Sequence, residues 1–158
     1  MITSSIHLRA MTTADFPAVA AIESQVQTHP WTEQNFRDSY LGFHTMMVSE
    51  IAQKVVGFQV LMFGPDEAEL LLIGVHPTYQ QQGIGRQLLT AAEELAQQKQ
   101  REAMLLEVRV SNTVAQHFYQ RLGYEQVGRR KAYYPTLGGV REDALLFRKA
   151  LAVPLEDH

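Results

Sequence analysis

The chain has 158 residues, of which 46% are hydrophobic and 20% charged, and its net charge is −3. This length and balance predict one globular domain and exclude an intrinsically disordered chain. The low net charge argues against general electrostatic binding to nucleic acid or anionic membranes and leaves only local basic stretches, such as Arg129, Arg130 and Lys131, as contacts. Because the chain has no cysteine, it can contain neither a disulfide, nor a thiolate zinc site, nor a cysteine nucleophile.

The N-terminal segment predicts a strand followed by a helix. Residues 6–10 alternate weakly in hydropathy, as a strand does, and Thr12 or Thr13 can cap the helix that follows. The apolar residues of this helix recur at helical spacing: Phe16, Val19, Ile22 and Val26. Pro17 is compatible only with the first turn of the helix, which agrees with a start at this point.

A second, shorter helix is predicted after residue 31. Trp31 and Phe36 flank the capping residue Thr32 in the spacing of a hydrophobic staple, in which an apolar residue before the cap packs against one in the first helical turn. The helix should end near Leu41 and Gly42, because glycine commonly follows the last helical residue.

The middle of the chain is β-rich and predicts an antiparallel meander of three strands. The strands are expected over residues 45–50, 54–63 and 67–75. Residues 70–73 are all apolar, so the third strand is expected near the middle of the sheet, with both faces covered. Gly74 follows this run and indicates a bulge or the close approach of another group, which makes it a candidate ligand position.

The remaining elements are a helix, a strand, a second helix and a closing hairpin. They are expected, in chain order, over residues 83–100, 103–110, 112–122, 124–134 and 143–149. All the elements together predict the α/β class, with a mixed sheet that has helices on both faces. We expect a single domain over residues 1–152, followed by a short tail over 153–158.

Two glycines mark the link between the central strand and the helix that follows it. Gly83 and Gly85 let backbone N–H groups approach an anion closely, and the start of the helix adds a partial positive charge. A Walker loop needs lysine and a hydroxyl residue where Arg86 and Gln87 stand, and a dinucleotide fingerprint needs glycine or alanine at Leu88. Two interpretations remain: a diphosphate held by the backbone with help from Arg86, and a simple glycine turn.

Glu107 and Tyr119 are the candidate acid–base pair. Acyl transfer to an amine requires a base, because an α-amino group with a pKa near 8 is mostly protonated at neutral pH. Glu107 lies in an otherwise apolar strand, where a carboxylate is costly unless it is paired, hydrated or used. The phenol of Tyr119 stays protonated at neutral pH and can donate to a leaving thiolate. The alternatives are an outward-facing strand glutamate and a core tyrosine.

The segment from Val75 to Gly85 resembles the acetyl-CoA signature of the GNAT family of N-acetyltransferases. Gln80-x-x-Gly83-x-Gly85 follows Val-His-Pro and precedes an amphipathic helix, and the order of elements is similar along nearly the whole chain. The resemblance implies a central, mostly antiparallel sheet flanked by helices, in which two neighbouring strands splay apart. It also implies that acetyl-CoA binds as cosubstrate to the strand, the loop and the helix start, at Ile73, Gly74, Val75, Gln81, Gln82, Gly83, Ile84, Gly85 and Arg86.

Three further segments resemble the bacterial acetyltransferases that modify a ribosomal protein at its N-terminal alanine. They are Leu106-Glu107-Val108-Arg109-Val110-Ser111-Asn112, Tyr119-Gln120-Arg121-Leu122-Gly123-Tyr124 and Tyr133-Tyr134-Pro135. The resemblance implies that Glu107 accepts a proton, that Tyr119 donates one, and that Asn112 contacts CoA. The implied reaction is direct attack of a protein N-terminal α-amino group on acetyl-CoA, without a covalent acyl-enzyme.

The implied partner is the N-terminal tail of a small-subunit ribosomal protein. Trp31, Tyr133 and Tyr134 are expected to line its channel, with ordinary packing as the alternative for each. Because such a tail is basic, acidic residues are expected at the entrance, with a solvated hairpin turn as the alternative. The candidates are Asp66, Glu67 and Glu69. Two other functions compete with this one: acetylation of a small amine or a lysine side chain, and a non-catalytic CoA-binding module.

We expect neither a metal site nor a membrane segment. The six histidines are scattered, without a pair at the spacing of metal ligands: His7, His29, His44, His76, His117 and His158. The first residues lack a cationic stretch followed by an apolar core, and no apolar run approaches the roughly 20 residues that span a bilayer. The resulting expectation is a cytoplasmic enzyme without direct contact to nucleic acid.

Overall fold

The computed structural model describes residues 5–134 and 141–152, without the side chain of Tyr134. In chain order the elements are β1 (Ile6–Ala10), a 3-10 turn (Thr13–Asp15), α1 (Phe16–Val26), α2 (Glu33–Leu41), β2 (Thr45–Ile51), β3 (Lys54–Phe63), β4 (Glu67–Val75), a second 3-10 turn (Pro77–Tyr79), α3 (Ile84–Gln98), β5 (Ala103–Arg109), α4 (Thr113–Arg121), β6 (Glu125–Tyr134) and β7 (Glu142–Ala150). This is the predicted order, and the bounds of β1, β3 and β4 coincide with the predicted ones. The predicted tail over 153–158 lies outside the described residues.

The helices α3 and α4 end one or two residues inside their predicted bounds, because flanking residues serve as caps. Asn112, expected as the first residue of α4, instead caps it by accepting a hydrogen bond from the N–H three residues on, at 3.1 Å. Thr32 caps α2 through the N–H of Asn35 at 3.2 Å. The rings of Trp31 and Phe36 lie 5.4 Å apart, edge to face, so the predicted hydrophobic staple is present.

The strands form one mixed sheet of seven strands over the described residues, in the order β1-β2-β3-β4-β5-β7-β6. The pair β4/β5 is parallel, whereas β1/β2, β2/β3, β5/β7 and β6/β7 are antiparallel. The central strand is β4, as its apolar run predicts. The register of β4 and β5 joins residues 67–70 to 103–106, and both strands continue beyond these pairs. This short ladder agrees with the predicted splaying of the two strands.

The described residues fall into two compact units, and the first comprises the chain up to Met62 together with Leu71–Glu94. Its strands contribute to two apolar clusters. One packs with α1 and α2 and includes Phe16, Val19, Ile22, Phe36, Val48, Phe58 and Val60. The other packs with α3 and includes Ile6, Leu8, Val56, Ile84 and Leu88. Leu8 of the second cluster is opposite Ser49, the neighbour of Val48, so the two clusters lie on opposite faces of the sheet. The register shift between β2 and β3 at Ser49 allows Val56 to join the second cluster although it is two residues from Phe58. Helices therefore cover both faces of the sheet in this unit, as predicted.

The second unit comprises Phe63–Leu70 and the chain from Leu95 onward. Buried and half-buried residues alternate along β5. The buried ones are Met104, Leu106 and Val108, and the half-buried ones are Leu105, Glu107 and Arg109. Phe147 of β7 lies opposite Leu106 and is fully buried. Glu107 is therefore on the less buried face of this part of the sheet. Among the described residues, no helix combines the length and the hydropathy that crossing a membrane requires.

Candidate functional site

The loop between β4 and α3 is closed by its own polar side chains. Gln80 Nε2 donates to the carbonyl oxygen of Val75 at 3.1 Å, and His76 Nδ1 accepts from the N–H of Thr78 at 3.1 Å. The two residues after Gln80 are exposed: Gln81 and Gln82. Gln80, the first residue of the predicted signature, therefore shapes the loop by tying it back to the end of β4.

The start of α3 has the backbone geometry of an anion site. Gly83 has a φ of +83°, and a Cβ there would meet no atom within 4 Å, so the requirement for glycine is conformational rather than steric. Its carbonyl accepts from the N–H of Gln87 at 3.0 Å, which begins the helix. The first N–H groups of a helix, here those of Ile84, Gly85 and Arg86, have no intrahelical partner and stabilise negative charge. Because the Ile84 side chain is only 1% exposed, the predicted contact of this residue with a ligand would have to be made by its backbone.

Gly74 is buried beside an aromatic ring that occupies the space of a side chain. An ideal Cβ at Gly74 would come within 2.6 and 2.8 Å of two atoms of the Phe58 ring. The close approach expected from the sequence is therefore made by Phe58, and the glycine is explained without a ligand. The flanking residues Ile73 and Val75 are half-buried and pack against the cluster at α3, so the predicted contact of this segment with acetyl-CoA involves its backbone.

Gly74→Ala is expected to lower the free energy of unfolding by about 1–3 kcal/mol, because the new methyl group must displace the Phe58 ring. The double variant Gly74→Ala/Phe58→Leu should lose less free energy of unfolding than the sum of the two single losses, since the smaller side chain at position 58 leaves room for the methyl group. Urea unfolding of the two single variants and the double variant measures both effects. Strictly additive losses would contradict the steric explanation.

Glu107 is ion-paired on the less buried face of β5. Its Oε1 lies 3.3 Å from Nη1 of Arg130, and its side chain is 16% exposed, against 53% for Arg130. Because β7 lies between β5 and β6, Arg130 reaches Glu107 across an intervening strand. Glu107 is thus not a simple solvated strand glutamate, and an ionised carboxylate at this point can accept a proton.

Glu69 of β4 shares a sheet face with Glu107. Glu69 is opposite Leu105 in the parallel register, and Glu107 is two residues further along β5, so the two carboxylates point to the same side. Burial raises the pKa of Glu69, the charge of Glu107 raises it further, and Arg130 lowers it. This part of the second unit therefore combines two carboxylates and one guanidinium.

The other two acidic candidates differ from Glu69 in their surroundings. Asp66 is exposed, as a residue of a solvated turn is. Glu67 Oε2 instead accepts from Nε of Arg148 at 3.0 Å. Because Glu67 already has a cationic partner, it is less available to a basic peptide than Asp66 or Glu69.

Tyr119 lies on α4 and is 7% exposed. Its ring makes edge-to-face contacts with Phe118 at 5.2 Å and with Tyr124 at 5.7 Å between centroids. This packing is what a core tyrosine shows, and its role as a proton donor stays a prediction. Asn112, at the start of the same helix, is exposed, and its side-chain oxygen caps α4, a role additional to the predicted contact with CoA.

The aromatic residues predicted to line the substrate channel lie in both units. Trp31 is half-buried against Phe36 in the first unit. Tyr133 is 43% exposed in the second unit, and the guanidinium carbon of Arg130 lies 5.1 Å from its ring centroid. The side chain of Tyr134 lies outside the described part of the chain. Tyr133 is thereby linked, through Arg130, to Glu107.

Two features of the site were missed in the sequence analysis: the ion pair of Arg130 with Glu107, and the shared sheet face of Glu69 and Glu107. Arg130 stands in the run Arg129-Arg130-Lys131, which indicates only a local basic stretch. A single strand pattern does not reveal which basic residue of β6 meets β5, because that contact depends on the order and register of strands distant in the chain. The sequence did contain one indication of these contacts: Glu69 and Glu107 stand in apolar strands, where carboxylates require partners.

Comparison with known proteins places the chain in a family. Residues 8–124 match the acetyltransferase (GNAT) family. The chain is 35% identical over 152 residues to the ribosomal protein bS18-alanine N-acetyltransferase of Escherichia coli (strain K12), covering 94% of this chain and 97% of that protein. It is 34% identical over 141 residues to the putative ribosomal protein bS18-alanine N-acetyltransferase of Bacillus subtilis (strain 168), covering 88% and 91% of the two chains.

A solved structure shows the same fold. The crystal structure of the ribosomal-protein-S18-alanine N-acetyltransferase from Escherichia coli superposes with a TM-score of 0.87 at 31% identity, covering 98% of this chain and 99% of that chain. The predicted GNAT fold is thereby confirmed, together with the resemblance that the loop before α3 indicated. With this agreement along nearly the whole length, the chain belongs to the acetyltransferase (GNAT) family.

Proposed function

We propose that this protein transfers the acetyl group of acetyl-CoA to the N-terminal α-amino group of a protein, and that its substrate is the N-terminal alanine of a small-subunit ribosomal protein. The observation that carries the proposal is the similarity, over 94% of the chain, to a relative named for acetylation of ribosomal protein bS18 at alanine. Action on a ribosomal protein implies the cytoplasm as the place of reaction.

Acetyl-CoA fits the loop and helix start of the first unit. The N–H groups of Ile84, Gly85 and Arg86 suit its diphosphate, because they open a helix whose preceding residue, Gly83, has the positive φ that such a loop needs. The backbone of residues 73–75 is proposed for the pantetheine arm, with further contacts from Gln81, Gln82 and Asn112. When bound, acetyl-CoA supplies a thioester whose acyl carbon is open to attack by an amine.

Glu107 is proposed as the proton acceptor. The substrate ammonium must lose a proton before its nitrogen can form the bond to the acyl carbon, and the Glu107 carboxylate takes that proton, directly or through water. The ion pair with Arg130 orients the carboxylate. As the carbon–sulfur bond breaks, the phenol of Tyr119 gives its proton to the departing thiolate, so that a free thiol leaves. The second proton, which the nitrogen loses as the amide forms, returns the phenolate to a phenol.

The half-buried carboxylate of Glu69 favours a basic substrate tail at this face of the sheet. Glu69 and Glu107 share one face of the sheet, and Arg130 pairs with Glu107. Because Arg130 already neutralises Glu107, a cationic N-terminus at this face is attracted chiefly by Glu69. Exposed Tyr133, stacked on Arg130, offers an apolar surface beside the same charges.

A peptide panel tests the proposed function. The panel contains an alanine-initiated basic peptide with a free N-terminus, the same peptide with a blocked N-terminus and an internal lysine, and small amines. Thiol release should be fast only with the free N-terminus, and mass spectrometry should place the acetyl group on the first residue. Acetylation of only the blocked peptide or of small amines would favour the competing transferase functions. Binding of acetyl-CoA without turnover of any acceptor would favour a non-catalytic module.

A further inference from the structure

Glu23 is a carboxylate buried in the apolar face of α1. Its side chain is 1% exposed, although its neighbours on this face are apolar: Phe16, Val19 and Ile22. Burial raises the pKa of Glu23, and the hydrogen bond from the backbone of Trp31 lowers it. Because a well-packed apolar side chain avoids the cost of burying a carboxylate, the helix gains little stability from Glu23. Its presence points to a role outside the helix.

The two carboxylate oxygens of Glu23 have different surroundings. Oε2 accepts a hydrogen bond from the backbone N–H of Trp31 at 3.0 Å. Oε1 has no hydrogen-bond partner among the described residues. The bond at Oε2 joins α1 to the segment between α1 and α2, which contains neither helix nor strand. Glu23 thus fixes the backbone of a segment that lies outside the helices and strands.

Trp31 is held from a second side by its ring. The indole packs edge to face on Phe36 at 5.4 Å, and the next residue, Thr32, caps α2. Trp31 is nevertheless only half-buried, so part of this residue is open to solvent. A partly exposed aromatic ring on a fixed backbone can bind a peptide without first being ordered, which removes an entropic cost from binding.

We propose that Glu23 is a positioning residue, which fixes Trp31 and thereby sets the affinity of the enzyme for its protein substrate. The proposal rests on the proposed function and on the expectation from the sequence that Trp31 lines the channel for the N-terminal tail. Glu23 acts through the Trp31 backbone and not by contact with the substrate. Glutamine can accept the same hydrogen bond, whereas leucine cannot, so the two substitutions separate positioning from charge.

Steady-state kinetics with an alanine-initiated peptide test this role. Glu23→Leu should raise KM for the peptide roughly tenfold, the factor expected when a backbone N–H loses a buried acceptor. KM for acetyl-CoA and kcat should stay within about twofold of wild type, because the transition state of the chemical step is unaffected. Glu23→Gln should restore the wild-type KM for the peptide. Leucine suits both the helix and its apolar surroundings, so this variant is expected to fold.

Val19→Ala is the matched control, since it destabilises the same buried face of α1 but keeps the hydrogen bond between Glu23 and the Trp31 N–H. Its KM for the peptide should equal that of wild type. An unchanged peptide KM in Glu23→Leu, or an equal rise in Val19→Ala, overturns the proposal. The double variant Glu23→Leu/Trp31→Ala should show no higher KM than Trp31→Ala alone, and a multiplicative rise would mean that Glu23 acts independently of Trp31.

Trp31 is the single tryptophan of the chain, so its emission gives a readout that does not require activity. Acrylamide should quench this emission more strongly in Glu23→Leu than in wild type, Glu23→Gln or Val19→Ala. Equal quenching in all four proteins overturns the positioning role. If wild type acetylates no free N-terminus, the proposed function fails, and the quenching experiment still decides whether Glu23 positions Trp31.

Discussion

Glu107→Gln is expected to lower kcat by about 10²- to 10⁴-fold, the range that a positioned general base contributes. The substitution keeps the shape of the side chain but removes its ability to accept a proton. An α-amino group with a pKa near 8 is mostly protonated at neutral pH and cannot attack until the proton is removed. KM for acetyl-CoA should change little, because Glu107 is not among the proposed contacts of the cosubstrate.

The pH dependence of the variant sharpens this prediction. In Glu107→Gln the only reactive amine is the fraction already deprotonated in solution, so its rate should climb with pH until the substrate amine has titrated, near pH 8. The ratio of the wild-type rate to the variant rate should fall over the same pH interval. Thiol release from acetyl-CoA, measured with a short Ala-Arg peptide between neutral and alkaline pH, gives both profiles.

Two further variants separate loss of the base from loss of the ion pair. Arg130→Gln breaks the same ion pair but keeps the carboxylate, so its kcat should stay well above that of Glu107→Gln. Glu50→Gln removes a strand glutamate that pairs with Arg9 at 3.1 Å in the first unit, and its kcat should match that of wild type. Equal turnover in Glu107→Gln and wild type would refute the assignment of the base.

Tyr119→Phe should lower kcat by about 10²-fold, at the lower end of the contribution of a positioned acid. The effect is expected to be smaller than for Glu107. A thiolate, whose thiol has a pKa near 8.5, can leave without first being protonated, whereas an ammonium group cannot attack until it has lost a proton. Phenylalanine keeps the ring and therefore the contacts with Phe118 and Tyr124. The loss should therefore appear in turnover, with a change in the free energy of unfolding of only about 1 kcal/mol from the lost hydroxyl.

Tyr124→Phe is the matched control for this variant. Tyr124 is 2% exposed and belongs to the same aromatic cluster, so removing its hydroxyl perturbs the same region of the second unit. Its kcat should stay near that of wild type. Equal losses of kcat in the two variants would show that the cluster matters only for packing, and the role of Tyr119 as acid would have to be abandoned.

Local pattern was sufficient for most of the secondary structure and for the loop before α3. The bounds of β3 and β4, the staple of Trp31 on Phe36 and the position of Gly83 before a helix all follow from features within about ten residues of one another. Hydropathy periods and caps act over such distances, and they act before any tertiary contact exists. The apolar run in β4 similarly predicted a central strand, because a strand with two apolar faces must be covered on both.

Contacts between residues distant in the chain were decided by the tertiary structure. Pairing of Glu107 with Arg130 requires β7 to lie between β5 and β6, and the shared face of Glu69 and Glu107 requires one particular parallel register. A shift of one residue in that register would send Glu69 to the opposite face. Neither strand carries this information in its own pattern of apolar and polar residues.

Gly74 and Glu23 show the same limit at the level of single residues. The sequence by itself indicated a bulge or a close approach at Gly74, and it did not single out Glu23 among the residues of α1. Only the folded chain decided that the approaching group is the ring of Phe58 and that the partner of Glu23 is the N–H of Trp31. The physical reason is that periodicity specifies which side of an element is buried, whereas the identity of the facing atom depends on how separate elements pack together.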